Sequence, residues 1–495
     1  MRALVQEISD PPSPEALAAR LANIPGTMLL RSCPGFDSAR YSFLAAWPFL
    51  TFRSRGAVCE TISSSGTSRL FGNPWQILSS LLNRYELLDQ LDFPFPLGAC
   101  IGYWGYDLGR ALEPRLSRHA AHELDCPDCH LGFYESLVAY DHHLGRAWIL
   151  SSGMEPDGSR SLTRARARLD RWRHHLNQAR PELHPAIRRL HARSPSLESN
   201  LTRPAFLQLV ERALAYIRAG DIYQVNLSQR FNAPALGSGW DLFRQLAEVS
   251  PAPFSAYLQC GSFQVISSSP ELFLKISGDH VRTRPIKGTR PRSDDPTRDA
   301  QLSYELQTNP KEMAELVMIT DLLRNDLGRV CEFGSIHVPE LMRLERYPQV
   351  QHLVSTVEGR LRPGMNHMDA LAACFPGGSI TGAPKIRAME IIDELEPAAR
   401  GPYTGCLGYL GFNRESQLSI VIRSAMQRAG RLWFQTGAGI VADSDPEAEY
   451  EETVAKARGL MMAAGYHGFE TGSSGLSLGR HPVPHPKPSC SVRTP

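Results

Sequence analysis

No uninterrupted apolar run in this 495-residue chain approaches the roughly 20 residues that span a bilayer. No membrane-spanning helix is therefore expected. Met1 to Glu7 lack the apolar segment and cleavage site of a secretion signal. Ten cysteines in a chain of this length do not make a disulfide scaffold, so reduced thiols in the cytoplasm are expected. An excess of one charge is missing too: 53 Lys+Arg against 51 Asp+Glu leave a formal +2. Neither nucleic acid nor an anionic membrane is expected as a partner, and a small anionic ligand would need local cations.

At 42% hydrophobic residues the chain can bury a large core. Its length allows two to four average domains or one large fold with insertions. Residues 1–155 read as strand-rich, with short apolar runs at Thr27–Leu30, Tyr41–Leu44, Leu97–Tyr103 and Leu137–Tyr140 between turn signals. Residues 156–200 differ: an Arg, Ala and Leu-rich helix over 160–180 leads into a connector around Pro181 and Pro195, expected to be mobile. From 201 to 465 the periodicity sharpens. Leu201–Ala219 has helical spacing ended by Gly220, Ile222–Phe231 alternates like a strand, and Phe263–Ser267 reads as another strand. Pro310 suits the first turn of a helix reaching about Asp326, and Asp445-Pro446 reads as a cap opening a helix over 447–463. Residues 466–495 are expected to be a disordered tail, Gly, Ser, Pro and His rich from Thr471 onward. The predicted class is α+β with substantial antiparallel sheet.

Glu312 and Glu315 share one face of the first of those helices, and Glu449 and Glu452 share one face of the second, with Lys456 a turn beyond. Two such faces could offer oxygen ligands to Mg2+; equally, they could be solvated surface carboxylates with Lys456 in a surface ion pair.

Four ordered motifs choose between those readings. Pro285-Ile286-Lys287-Gly288-Thr289, the run Asp321 to Arg329, the run Pro376 to Lys385, and Gly437 to Ser444 together resemble the chorismate-utilising enzymes. The likeness is specific over 201–462 and reaches more weakly back through Gly105–Arg110. That family includes component I of anthranilate synthase, aminodeoxychorismate synthase, and the isochorismate and salicylate synthases. The resemblance implies a large antiparallel-sheet-rich fold with packed helices. It also implies chorismate as substrate and Mg2+ as cofactor, with Glu315 and Glu452 as leading metal ligands and Glu312 and Glu449 in support. Within the family, Lys at the position of Lys287 accompanies amination at C4, giving 4-amino-4-deoxychorismate for para-aminobenzoate and folate synthesis. Ala there usually accompanies amination at C2, giving anthranilate, which is the alternative here.

The same resemblance implies that Glu271 is a general acid/base and that His352 acts on the ring or its C4 hydroxyl. It assigns substrate binding to Thr289, Ser379, Tyr403, Arg423, the Gly437-Ala438-Gly439 run and Lys456. Taken alone, Glu271 could be a carboxylate at a helix N-terminus and Arg423 a surface group ending the strand-like run Ser419–Ile422. Gln224 stands where the isochorismate and salicylate branch commonly has a water-activating Lys, and a neutral amide is a poor base. The Gly378 to Lys385 stretch is no phosphate loop, because it lacks the Gly-Lys-Ser/Thr ending. Nothing resembles the nucleophile-bearing turn of a glutaminase, so ammonia is expected from a separate glutaminase subunit.

Leu29-Leu30-Arg31-Ser32 resembles a family segment that forms a tryptophan pocket, with Leu30 and Ser32 as candidate contacts. Arg31 replaces the usual Glu and puts regulation by that ligand in doubt. Cys126-Pro127-Asp128-Cys129-His130 formally matches a haem-attachment pattern, and with His119 and His122 a zinc site is conceivable. Neither has a second supporting motif.

Overall fold

The computed structural model describes residues 2–33, 35–36, 39–87, 93–116, 119–179, 197–347 and 350–466. The predicted connector around Pro181 and Pro195 and the tail beyond Tyr466 lie outside them. Tyr466 itself, assigned to the tail by sequence, is buried, and its hydroxyl donates to the Pro234 carbonyl.

Two large sheets carry the fold, each paired antiparallel throughout its named strands. Each draws on both ends of the chain. In the first, Met28–Arg31 pairs with Phe254–Gln259, putting Leu30 opposite Ala256. In the second, Ala99–Trp104 pairs with Cys406–Gly411. The strand-rich N-terminal region is thus hydrogen-bonded into the same sheets as residues 201–465. The α+β expectation is borne out.

The sheets face one another across the main core, where rings from opposite sheets meet: Phe43 with Tyr409 at 5.0 Å between centroids, Tyr103 with Phe263 at 6.3 Å. The other face of the first sheet buries a second apolar cluster against helices Pro14–Leu21, Leu162–Gln178, Gly239–Val249 and Pro446–Ala464. Among the described residues no helix is long and apolar enough to cross a membrane.

Seven elements position the candidate site: β1 (Gln224–Pro234), β2 (Phe263–Ser269), β3 (Ile286–Pro291), α1 (Pro310–Gly328), β4 (Val350–Arg360), β5 (Arg431–Ile440) and α2 (Pro446–Ala464). Both helices start where their caps dictate. Asn309 accepts from the Glu312 amide at 3.1 Å and Asp445 from the Ala448 amide at 2.9 Å, each followed by a proline whose missing N–H costs nothing there. Cap placement therefore fixes where Glu312, Glu315, Glu449 and Glu452 fall on the helical wheel.

Candidate active site

β5 is paired with β1 along its whole length, from Pro234↔Arg431 to Val225↔Ile440. Its other neighbour, Ser424–Arg428, reaches it only from Arg431 to Phe434. Beyond Phe434, among the described residues, one edge of β5 has no strand beside it, and that edge looks into a cleft of about 630 Å³. Gln435, Thr436, Gly437 and Gly439 line it from the sheet. β3 and β4 bring Lys287, Thr289 and His352; α1 and α2 bring Glu312, Glu315, Glu449, Glu452 and Lys456. Glu271 enters from the link between β2 and the following strand, Ser379 from a short helical turn, and Tyr403 and Arg423 from loops.

At Gly437 a Cβ would stand 2.7 Å from the Leu227 backbone carbonyl, so only glycine fits there without the strand shifting. A Cβ on Gly439 would come 2.6 Å from Gln224 Nε2 and 3.4 Å from Lys287 Nζ. Both side chains therefore approach the bare backbone of Gly439. A Cβ on Gly437 would stand 3.0 Å from the Tyr403 hydroxyl.

The cleft is a lattice of opposed charges. Lys287 Nζ lies 3.1 Å from Glu315, Arg290 3.4 Å from Glu312, Lys311 3.5 Å from Glu449 and Lys456 2.6 Å from Glu452. Arg423 is the exception: among the described residues its guanidinium has no carboxylate partner, and burial lowers its pKa. Its backbone is left-handed, with φ of +51°, a conformation that costs a non-glycine residue free energy and clusters at functional sites. A desolvated, unpaired arginine is unfavourable in an empty cleft and favourable once a carboxylate arrives. Arg423→Gln is accordingly expected to raise KM for an anionic substrate by about 10- to 100-fold. Thermal stability should hold or rise, since no buried anion is stranded. Steady-state kinetics beside a melting curve would check both.

Burial pushes the Glu271 carboxyl up to about 7, against the opposing pull of the Ser379 hydroxyl, Lys287 and Lys456. It can hold a proton near neutral pH. Burial acts to lower Lys287, but Glu315, Glu452 and Glu271 outweigh it and raise its pKa. The groups facing this lysine are anions, which favour its protonated form. Burial and Arg423 bring His352 down to about 4, so its ring is neutral, with Nδ1 2.9 Å from the Thr289 hydroxyl.

Hard carboxylate oxygens on two facing helices suit a divalent cation. Glu449 adds an orphan: its Oε1 accepts from Ser444 at 2.6 Å, while its Oε2 is buried with no hydrogen-bond partner. Among the described residues, however, no three acidic, His or Cys side chains converge on one point as a preformed metal site. The chain presents its carboxylates in pairs, each presently facing a cation.

Three sequence expectations change in detail. Glu271 is not at a helix N-terminus; it sits between two strands. The strand before Arg423 ends at Ile420, so Arg423 lies in a turn between the two sheets. Ala438 is fully buried in the main core and does not line the cleft, unlike Gly437 and Gly439 on the opposite face of the strand. Leu30 and Ser32 are also elsewhere. Leu30 packs on the core, Ser32 donates to the Tyr41 carbonyl, and Arg31 is ion-paired with Glu15. Cys126 and Cys129 are buried thiols pushed up to about 12 by burial, and His119 contacts Asp393 instead.

The motifs also contain supports that do not reach the cleft. Lys385 Nζ donates to both Asp326 oxygens at 2.7 Å and to the Cys374 carbonyl at 3.0 Å, tying two motifs together behind Ser379. Asn226, Arg290, Lys311, Gln435 and Thr436 line the cleft and were not singled out by sequence. Asn226 had a signal, since it lies two residues from Gln224 on one strand face. Lys311 had none, because its partner Glu449 is 138 residues away.

Residues 50–462 match the family described as chorismate binding enzyme. Over 460 residues the chain is 41% identical to anthranilate synthase component 1 of Synechocystis sp., covering 89% of this chain and 91% of that protein. Over 453 residues it is 39% identical to aminodeoxychorismate synthase component 1 of Salmonella typhimurium, covering 91% and 96%. The crystal structure of anthranilate synthase component I from Streptococcus pneumoniae superposes with a TM-score of 0.75 at 32% identity, covering 87% of this chain and 93% of that one. The similarity is equally strong to relatives of either name, and it spans both sheets: this chain belongs to the chorismate-binding enzyme family.

Proposed function

We propose that this chain aminates chorismate at C4, forming 4-amino-4-deoxychorismate. The observation that carries this reading is Lys287, whose amine enters the same cleft as a carboxyl titrating near 7 and a half-buried arginine with no carboxylate partner among the described residues. Overall identity does not separate C4 from C2 amination, because relatives of both kinds are about equally similar. The lysine is the discriminating group.

In this reading Arg423 holds one carboxylate of chorismate, with Tyr403 and the open edge at Gly437 and Gly439 beside it. Neutral Lys287 attacks C2, the ring double bonds shift, and the C4 hydroxyl leaves as water with a proton from Glu271. Ammonia then adds at C4, the Lys287 nitrogen leaves C2 as the neutral amine, and the new C4 ammonium returns a proton to Glu271, so the enzyme comes back unchanged and the reaction is chorismate plus ammonia to product plus water. Neutral His352, aligned by Thr289, orients the ring. Gln224 beside Lys287 offers no base to activate water. Glu315 and Glu452, with Glu312 and Glu449 in support, would hold Mg2+, which would supply positive charge for the ring carboxylate and offset the field that keeps Lys287 protonated. Ammonia comes from a separate glutaminase subunit, a reading supported by the relatives' name of component 1.

Incubation with chorismate, Mg2+ and ammonium, followed by chromatographic identification of the product, tests this. The C4-aminated compound is expected, with turnover lost in EDTA and regained on adding Mg2+. Anthranilate and pyruvate would instead make the chain a C2-aminating enzyme.

A further inference from the structure

Behind the cleft wall lies Arg400, its side chain 1% exposed and outside the cleft lining. A guanidinium has five N–H donors, and here all five are used. Nε and Nη2 donate to the two Glu396 oxygens at 2.9 and 2.7 Å. Nη2 also donates to the Asn226 carbonyl at 2.7 Å, and Nη1 to the Ile380 carbonyl at 3.0 Å and the Thr404 hydroxyl at 3.1 Å. Glu396 is held in turn by the Ser228 amide and hydroxyl, at 2.8 and 2.9 Å. The Tyr106 ring covers the guanidinium at 4.6 Å.

Each carbonyl or hydroxyl so gripped belongs to a cleft residue or its neighbour in sequence. Asn226 and Ile380 line the cleft; Ile380 follows Ser379, whose hydroxyl is near enough to Glu271 to favour its charged form, and Thr404 follows Tyr403, whose phenol shares with the Asn226 amide the space over Gly437. A buried ion pair is poor evidence of stability, since an apolar pair of equal volume is often as stable. What an apolar pair cannot do is hold two backbone carbonyls and a side-chain hydroxyl from one point.

We propose that Arg400 is a positioning residue which, through Ile380 and Ser379, places the Glu271 carboxyl for proton transfer and sets the Asn226–Tyr403 wall. This rests on the assignment of Glu271 as the acid and is independent of which carbon is aminated. Lysine at this position keeps the charge but loses the planar fork.

Arg400→Lys is the test, with turnover of chorismate followed at saturating ammonium. The expected result is a fall in kcat on the order of 10²-fold, as for a small misplacement of a reacting group, with KM for chorismate changed less than about threefold because Arg423 is untouched. In a Ser379→Ala background the same substitution should cost only about threefold, since its main route is already cut. Equal losses in both backgrounds, or a loss confined to KM, would overturn the proposal. If Arg400→Lys does not fold, paired Arg400→Gln with Glu396→Gln removes both buried charges together and is read the same way. A folded pair with undiminished kcat overturns it. A C2-aminated product would sink the proposed function and leave this coupling intact.

Discussion

Lys287→Ala should abolish amination at C4 while leaving the fold in place. The expected loss is at least about 10³-fold in kcat, because removing a covalent nucleophile leaves only the binding and electrostatic contributions of the cleft. Removing Lys287 strands Glu315, whose side chain is only 13% exposed, so a lower melting temperature is expected with the fold retained. Circular dichroism should match the parent. Two further readouts make the expectation specific. With ammonium omitted, the parent incubated with chorismate and Mg2+ should carry an adduct on Lys287 of the mass of chorismate less water. The variant should carry none. Removing the side chain also clears space beside Gly439, so slow attack of ammonia at C2 is an expected by-reaction. Undiminished C4 amination by Lys287→Ala would refute the covalent route.

Glu271→Gln should lower kcat by about 10²- to 10⁴-fold, the range for loss of a general acid. It should also change the shape of the pH profile. The reaction needs Glu271 protonated, so the parent should lose rate as pH rises through about 7, and the variant should lack that limb. His352, near 4, titrates too low to supply it. The sign for stability follows from the same burial. Between the ordinary carboxyl range and about 7, folded Glu271 keeps a proton that the unfolded chain has released. Its contribution is therefore most favourable at acid pH and is lost as pH rises to about 7. Glutamine carries no such penalty, so the variant should be the more stable protein above neutrality, by on the order of 3 kcal/mol for a shift of this size. Denaturant titrations of both proteins at pH 5 and at about pH 8 would check the crossover. A variant destabilised equally at both would mean that Glu271 is an ordinary ionised side chain.

Much of the scaffold could be read in advance because its signals are local. Asn309-Pro310 and Asp445-Pro446 mark helix starts through chemistry within four residues, and the observed helices begin where those caps place them. Alternation over 224–231 and 263–267 marked strands that the structure extends to Pro234 and Ser269. Where a signal depended on partners, sequence went astray. Apolar Ser419–Ile422 read as one strand running into Arg423, but the strand stops at Ile420 and the chain turns between sheets. Gly437-Ala438-Gly439 read as one cradle, although a strand can present only the two glycines to the same side.

By itself the sequence determined which chemical groups are available and how they sit along each helix or strand: paired glutamates a turn apart, a lysine before glycine, an arginine after an apolar run. Those are properties of neighbours in the chain, set by backbone periodicity. Only the tertiary structure decided their electrostatics. Whether Lys287 gains or loses proton affinity depends on Glu315, Glu452 and Glu271, brought in by separate elements, and on how much water the packing excludes. The same holds for Glu271, raised by burial, and for Arg423, left without a counterion. Charge interactions act through space over a few ångströms, so no pattern of spacing along the chain could have stated their sign.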